Sequence, residues 1–459
     1  MKKLFSFMGV VSSLFMWADI HLPAVFTDNM VLQRNSEVTI WGNANPNEEI
    51  TLTADFLDKE YKIKAGNTAT FKISFPTPKE GGPYNITLKG YNEVKLKNVM
   101  LGEVWLLSGQ SNMEMTPSWG ILNKDEEVAK AIESNIRFFT VQKAANLYPQ
   151  TDVIGKWEVC TPETMKNFSA VGYYFAQKLQ QDLKGVPIGL INSSWGGSAA
   201  ELWTPDRIFK NQPNLLENYL KLGGNEYYPT MPGGAYNAMI SPFNDYKIAG
   251  NIWYQGETNT GNYQTYNELL SSMIQSWRKD RGYEFPFYIV QIAPCTNYAF
   301  SGAEIRNAQR LVAKNTPQSG LVVIGDTITP QDDIHPKNKK PVGQRLSNLI
   351  FKEVYEGNSG LVESPEVASI EYNKGQAVLY FNFGEGLYFK NKTTNQFEIA
   401  GNDGKFYPAK ASLKNQNIIL QSPKVKNPSL VRYNWDNKKT PDVFNSAGLP
   451  MSTFTTEER

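Results

Sequence analysis

Ser111 stands in the run Trp105-Leu106-Leu107-Ser108-Gly109-Gln110-Ser111-Asn112-Met113-Glu114-Met115. Val104 to Leu107 reads as a buried strand. It gives way to small and polar residues, and Ser111 falls where a helix can begin. A serine exposed at a strand-to-helix turn, on the carboxyl edge of a sheet, is placed to act as a nucleophile. Gly-Gln-Ser-Asn-Met departs from the Gly-x-Ser-x-Gly elbow of α/β-hydrolases and points to another group of serine hydrolases.

A serine nucleophile needs a base. The chain has only two histidines, His21 and His335. His21 lies beside an expected cleavage site, which leaves His335, in Gln331-Asp332-Asp333-Ile334-His335-Pro336. A carboxylate two or three residues before a histidine can meet its ring from the same loop, hold one tautomer and stabilise the imidazolium. Asp332 and Asp333 both qualify. Spacing favours Asp332, because three residues give the chain room to turn. Alone, Ser111 could be a helix cap and His335 a loop filler; together, in the order Ser, Asp, His, they read as a catalytic set.

Acyl transfer also needs donors for the tetrahedral oxyanion. The backbone N–H of Ser111 is the first. Trp195-Gly196-Gly197-Ser198 follows a predicted strand ending at Asn192. Glycine lets a backbone N–H approach a ligand without a side chain in the way, so Gly196 or Gly197 is expected to supply the second.

The elements that must position these groups are legible. Between about residues 99 and 356, candidate strands Val104–Leu107, Ile188–Asn192, Ile248–Tyr254, Phe287–Ile292 and Leu321–Ile324 alternate with helical patterns. Ser169 is placed to cap a helix reaching about Leu183, with Gly185 as its stop. Leu269, Leu270, Met273, Ile274 and Trp277 recur at helical spacing, as do Leu346, Ile350 and Val354. Such alternation predicts an α/β unit, a parallel sheet with helices on both faces. Residues 19–98 carry short β-branched and aromatic runs between turn signals, the pattern of a small sandwich. Residues 357–459 return to strands, with Asn402-Asp403-Gly404 as a turn signal.

At 459 residues the chain is long enough for two or three domains. Its 46 basic and 45 acidic residues leave no electrostatic footprint for nucleic acid or anionic membrane. Lys2, Lys3 and the apolar stretch Leu4 to Trp17 read as a signal peptide over residues 1–18, with cleavage after Ala18, so an exported protein is expected. Cys160 and Cys295 are read as separate buried thiols. No His/Cys cluster offers itself to a catalytic zinc, and no metal or other cofactor is expected.

Several motifs together resemble the sialate O-acetylesterase family, of the SGNH superfamily of serine esterases. They are Gly-Gln-Ser-Asn-Met, Trp253-Tyr254-Gln255-Gly256-Glu257-Thr258-Asn259, and Asp333-Ile334-His335-Pro336. Leu22 to Arg34 is similar to the family's usual start; Val431-Arg432-Tyr433-Asn434-Trp435 and Gly448-Leu449-Pro450 are similar to its end. The resemblance implies an SGNH-type hydrolase unit and release of acetate from O-acetylated carbohydrates, sialic acids first and acetylated hemicellulose as the rival substrate. A non-catalytic carbohydrate-binding protein on the same scaffold is the alternative of a different class. The superfamily's Asp-x-x-His pattern matches Asp332, and the closer family's wording matches Asp333. For a third oxyanion donor the resemblance implies a side-chain amide, Gln255 ahead of Asn259. It also implies substrate contacts from Gln110, Trp195, Glu257 and Arg306. Glu257 would chiefly order its loop, and Arg306 or Arg310 could fork a sialate carboxylate.

Overall fold

The computed structural model describes residues 19–298, 302–328, 332–358 and 360–457. The expected signal peptide, residues 1–18, lies outside them. Ser36–Asn43 pairs antiparallel with Thr70–Thr77, and Glu49–Ala54 with Tyr61–Lys64 and Gly81–Lys89. Thr70–Thr77 alternates exposed and buried at every residue, the period of a strand with one face in a core. Its Phe71, Ile73 and Phe75 share that core with Ile50, Leu52, Ile86 and Leu88 of the facing strands. Two small sheets therefore pack face to face, as the run of short strands predicts.

The central sheet is built from β1 (Glu93–Gly109), β2 (Glu133–Thr140), β3 (Trp157–Cys160), β4 (Ile188–Ser194), β5 (Gly250–Tyr254), β6 (Phe287–Val290) and β7 (Ser319–Val322). Their order is β7-β6-β5-β1-β4-β2-β3. All neighbours are parallel except β3, which runs antiparallel to β2. The first part of β1 pairs antiparallel with Gly81–Lys89, and the part from Glu103 onward pairs with β4 and β5. The expected border between residues 98 and 99 thus falls inside one unbroken strand. The sequence pattern carries no sign of this, because the strand is polar on one side of that point and apolar on the other. Strands β2 and β3 lie outside the expected set; Glu133-Ser134-Asn135 opens β2 on polar residues that mask it.

Five helices bear on the sheet and its carboxyl edge: α1 (Ser111–Glu114), α2 (Ala170–Asp182), α3 (Tyr266–Arg281), α4 (Gly302–Asn315) and α5 (Lys340–Val354). Successive residues of β1 feed opposite faces of the sheet. Trp105 and Leu107 pack with Phe175 and Leu179 of α2 and Leu346 and Ile350 of α5. Val104 and Leu106 share a core with Met273, Ile274 and Trp277 of α3 and Ile305 of α4. That two-sided burial is why the strand reads as a continuous apolar run. The Ser169 hydroxyl accepts the Gly172 N–H at 3.2 Å and caps α2.

Beyond α5 the chain forms two four-stranded antiparallel arrangements, one containing Gln376–Asn382 and Asn417–Gln421, the other Phe397–Ala400 and Leu430–Tyr433. They share a core of Leu379, Leu420, Phe397, Val431 and Tyr433. Asn402-Asp403-Gly404 is a turn, and it joins Phe397–Ala400 to Tyr407–Pro408. Cys160 and Cys295 are both buried and free. Among the described residues no helix is long and apolar enough to cross a membrane.

Gly109 ends β1 with φ at +132°, and a Cβ there would stand 2.2 Å from the Tyr254 carbonyl oxygen. Gly185 also has positive φ but open space around it. Gly185→Ala should cost about 1 kcal/mol from backbone strain alone. Gly109→Ala, which adds a clash with β5, should cost more than about 3 kcal/mol. Chemical denaturation of the two variants checks the difference.

Candidate active site

The end of β1 is held from both sides. The Gly109 carbonyl accepts the Trp195 N–H at 3.0 Å, and the Gln110 N–H donates to the Tyr254 carbonyl at 3.0 Å. The chain then turns into α1 with Ser111 as its first residue. The sheet register sets Gly109 level with Ser194 of β4 and Tyr254 of β5. The motifs that come after those strands therefore converge on Ser111 at the carboxyl edge of the sheet.

His335 meets it there. Its Nε2 lies 2.8 Å from Ser111 Oγ, across 224 residues of sequence. The expected order of the two aspartates is reversed in space. Asp333 is the near carboxylate: its Oδ1 accepts the His335 backbone N–H at 2.8 Å and stands 3.9 Å from Nδ1. That is close enough to act through charge and too long for a ring hydrogen bond. Asp332 is exposed, and its carbonyl accepts from the Asn297 amide at 2.7 Å. The loop tightens by bonding Asp333 to the backbone of His335, and Asp332 is left exposed. The half-exposed Trp119 presents its ring edge-on to His335, centroids 6.4 Å apart.

The expected oxyanion donors fare differently. No hydrogen bond engages the Ser111 N–H among the described residues. Gly196 lies against the nucleophile; a Cβ on it would stand 3.5 Å from Ser111 Cβ. Its N–H, however, is taken by Glu114 Oε2 at 2.6 Å. Lys143 holds the other oxygen of Glu114 at 2.7 Å. Gly197, at φ +77°, has an N–H with no partner among the described residues. Both side-chain amides are already spent. Gln255 Nε2 donates to the Ser198 carbonyl and to Asn259 Oδ1, and Asn259 Nδ2 donates to Glu201 and Asn262. Glu201 is buried at the centre of this network, and burial raises the pKa of its carboxyl. The expectation of a third donor from Gln255 or Asn259 is therefore corrected: buried amides satisfy one another before they can reach an oxyanion.

The expected substrate contacts are corrected in part. Gln110 Oε1 accepts the Gly256 and Thr258 N–H groups at 3.3 and 3.4 Å, so it splices two loops. Trp195 is half-buried and donates from its indole to the Tyr227 carbonyl. Glu257 is buried, and its Oε1 accepts from Asn112 Nδ2 at 2.6 Å. Arg306 is only 2 % exposed. It donates to Thr453 Oγ1 and the Asp436 carbonyl, tying α4 to the C-terminal region. Burial pulls its pKa down to about 10. Buried there, it is not presented to a substrate carboxylate, although its Nη1 has no hydrogen-bond partner among the described residues. Arg310 lines a cavity of about 160 Å³ with Glu353, Phe383 and Phe454, which holds none of the site residues.

Three side chains at the site carry no signal that sequence reasoning picks out: Glu114, Lys143 and Lys339. Lys339 is buried and donates to Asn112 Oδ1 at 2.5 Å. Glu114 lies within the motif around Ser111, but nothing in the sequence sets Lys339 apart from Lys337 and Lys340. Among the described residues no three His, Cys, Asp or Glu side chains are gathered as a metal ion would need.

A family model described as carbohydrate esterase, sialic acid-specific acetylesterase, matches residues 101–352. The chain is similar to the sialate O-acetylesterases of Pongo abelii and Homo sapiens, 28 % identical in each case, over 97 % of this chain and 95 % of theirs. It is also similar to the crystal structure of a carbohydrate acetylesterase from Xanthomonas citri. That match has a TM-score of 0.86 at 34 % identity, over 96 % of this chain and 100 % of the other.

Burial, and then the charge of Lys339, lower the pKa of His335 below its ordinary 6.5, while Asp333 opposes them. A protonated Nε2 cannot take the Ser111 proton, so activity should fall as pH drops through that pKa. The acid limb of kcat/KM for ester hydrolysis should therefore have its midpoint below 6.5. A midpoint above that value would show that Asp333 outweighs burial.

Proposed function

The chain belongs to the sialic acid-specific acetylesterase family of carbohydrate esterases, and on that premise we propose that it removes O-acetyl groups from sugars through an acetyl-Ser111 intermediate. The observation that carries this reading is the 2.8 Å contact between Ser111 Oγ and His335 Nε2. In the first half-reaction Nε2 takes the hydroxyl proton as Oγ attacks the acetyl carbonyl carbon. The bond from that carbon to the sugar oxygen then breaks, and His335 returns the proton to the departing alcohol. In the second half-reaction water gives its proton to His335 and attacks the acetyl-enzyme; acetate leaves and Ser111 regains its proton.

The oxyanion of each tetrahedral intermediate is met by backbone N–H groups, those of Ser111 and Gly197, which carry no other partner among the described residues. Asp333 stabilises the imidazolium through charge. The substrate we assign first is an O-acetylated sialic acid, in keeping with the family. Acetylated hemicellulose is the second reading, and one observation favours it: Arg306 is committed to the core and leaves a sialate carboxylate without the arginine expected for it. Export, as the leader-like residues 1–18 imply, would bring the enzyme to either substrate.

Ser111→Ala should leave a folded protein and lower turnover of acetyl esters by at least about four orders of magnitude. Asp333→Asn should cost more than Asp332→Asn, yet less than the roughly 10⁴-fold loss known where a buried, ring-bonded aspartate is removed. Acetate release from O-acetylated sialic acid and from acetylated xylan, measured side by side, tests the substrate. Near-normal kcat in folded Ser111→Ala would sink the mechanism.

A further inference from the structure

Beneath the nucleophile lies a polar cluster that the two half-reactions do not use. Asn112, next to Ser111, has a fully committed amide. One N–H goes to Glu257 Oε1 at 2.6 Å and the other to the Ile334 carbonyl at 3.0 Å, while its oxygen accepts from Lys339 Nζ at 2.5 Å. Ile334 immediately precedes His335. One amide thus joins the nucleophile helix, the loop after β5 and the histidine loop. A backbone carbonyl can only accept, so the amide N–H₂ must face Ile334 and its oxygen must face Lys339.

Lys339 itself is 1 % exposed. Shielding an amine from water is costly, and an apolar chain of similar length would fill the same space at lower cost. What lysine supplies there is a donor and a charge. We propose that Lys339 is a positioning residue for the esterase reaction: its buried amine locks the Asn112 amide, and with it the spacing of Ser111 and His335, while its charge opposes protonation of His335. This inference rests on the Ser111–His335 reading.

The groups around Lys339 fit that role. Glu257 and Asp333 attract its charge, and its Nζ stands 5.2 Å from the centre of the Tyr254 ring. Cys295 and Tyr298, on the segment after β6, also feel Glu257, and burial raises the pKa of both. Burial outweighs attraction within the pair: it pulls Lys339 down to about 7 and pushes Glu257 up. His335 is faced by Ser111 and Trp119, by Asp333 at 3.9 Å, and by the field of Lys339. Asp333 and Lys339 therefore act on the imidazole with opposite sign. The first stabilises the imidazolium formed during attack, and the second keeps the resting ring free to accept a proton.

The test uses the full chain and a soluble chromogenic acetate ester. Two variants are compared: Lys339→Met, and Lys339→Met with Glu257→Gln, which leaves no buried carboxylate alone. Circular dichroism confirms folding. In both, the acid limb of kcat/KM should move to higher pH. Plateau kcat should fall by roughly 10- to 100-fold through misalignment, with KM little changed. If Lys339→Met fails to fold, the double variant carries the test. A limb in the folded double variant that coincides with that of the unaltered enzyme overturns the inference, even if kcat is lower, because a packing role would not move it. An unaltered enzyme with no esterase activity would instead refute the Ser111–His335 reading itself.

Discussion

Everything chemical in this molecule depends on where β1 stops. The strand is gripped at its last residues by one hydrogen bond to Trp195 on the β4 side and one to Tyr254 on the β5 side. Only glycine fits between them, because a side chain on Gly109 would collide with the β5 backbone. The polypeptide can leave the sheet only by turning sharply, and the turn presents Ser111 at the start of α1. Parallel pairing then places the ends of β4 and β5 at the same level. The glycine turn after β4 and the Gln-Gly-Glu loop after β5 are delivered to the serine by strand register, and hydrogen bonds to Glu114, Gln110 and Asn112 then hold them there.

Polar side chains in such a place must satisfy one another. Two networks do so, on different sides of Ser111. One is centred on Glu201 and absorbs Gln255, Asn259 and Asn262. The other is centred on Asn112 and absorbs Glu257 and Lys339. In both, burial raises the pKa of the carboxyl group. The charges that act on the reacting atoms are those of Asp333 and Lys339, with the Glu114–Lys143 pair at the rim.

Much of this is readable from the sequence, and the limits have physical causes. The strand before Ser111, the capped helix after Ser169 and the alternation of strands and helices are legible because burial on two faces and helical periodicity leave strong patterns. Scarcity makes His335 legible, since the only other histidine stands at residue 21. The strand border is not legible, because β1 belongs to two sheets and no turn marks the crossing. Spacing alone favours Asp332, but the loop's own hydrogen bond from the His335 N–H draws the Asp333 carboxylate to the ring's side of the loop. Arg306 is expected at the substrate, because its helix alone gives no sign of the C-terminal segment carrying Thr453 that bonds it. Long-range partners of that kind leave no local trace.

The fate of the two amides bears on how such a site works. Had Gln255 or Asn259 been free, a flexible side chain could have tracked the oxyanion as it formed. With both fixed, the proposed mechanism passes that duty to backbone N–H groups at Ser111 and Gly197, which sit at the end of β1 and in the turn after β4. Backbone donors held by a sheet need little reorganisation when charge develops, which is where electrostatic stabilisation gains most. Glu114 serves the same end from the other side. By taking the Gly196 N–H, with Lys143 holding its second oxygen, it fixes the glycine turn against Ser111 and leaves the next N–H without a partner. On the proposed mechanism, the immobility of these groups is what the surrounding hydrogen bonds provide.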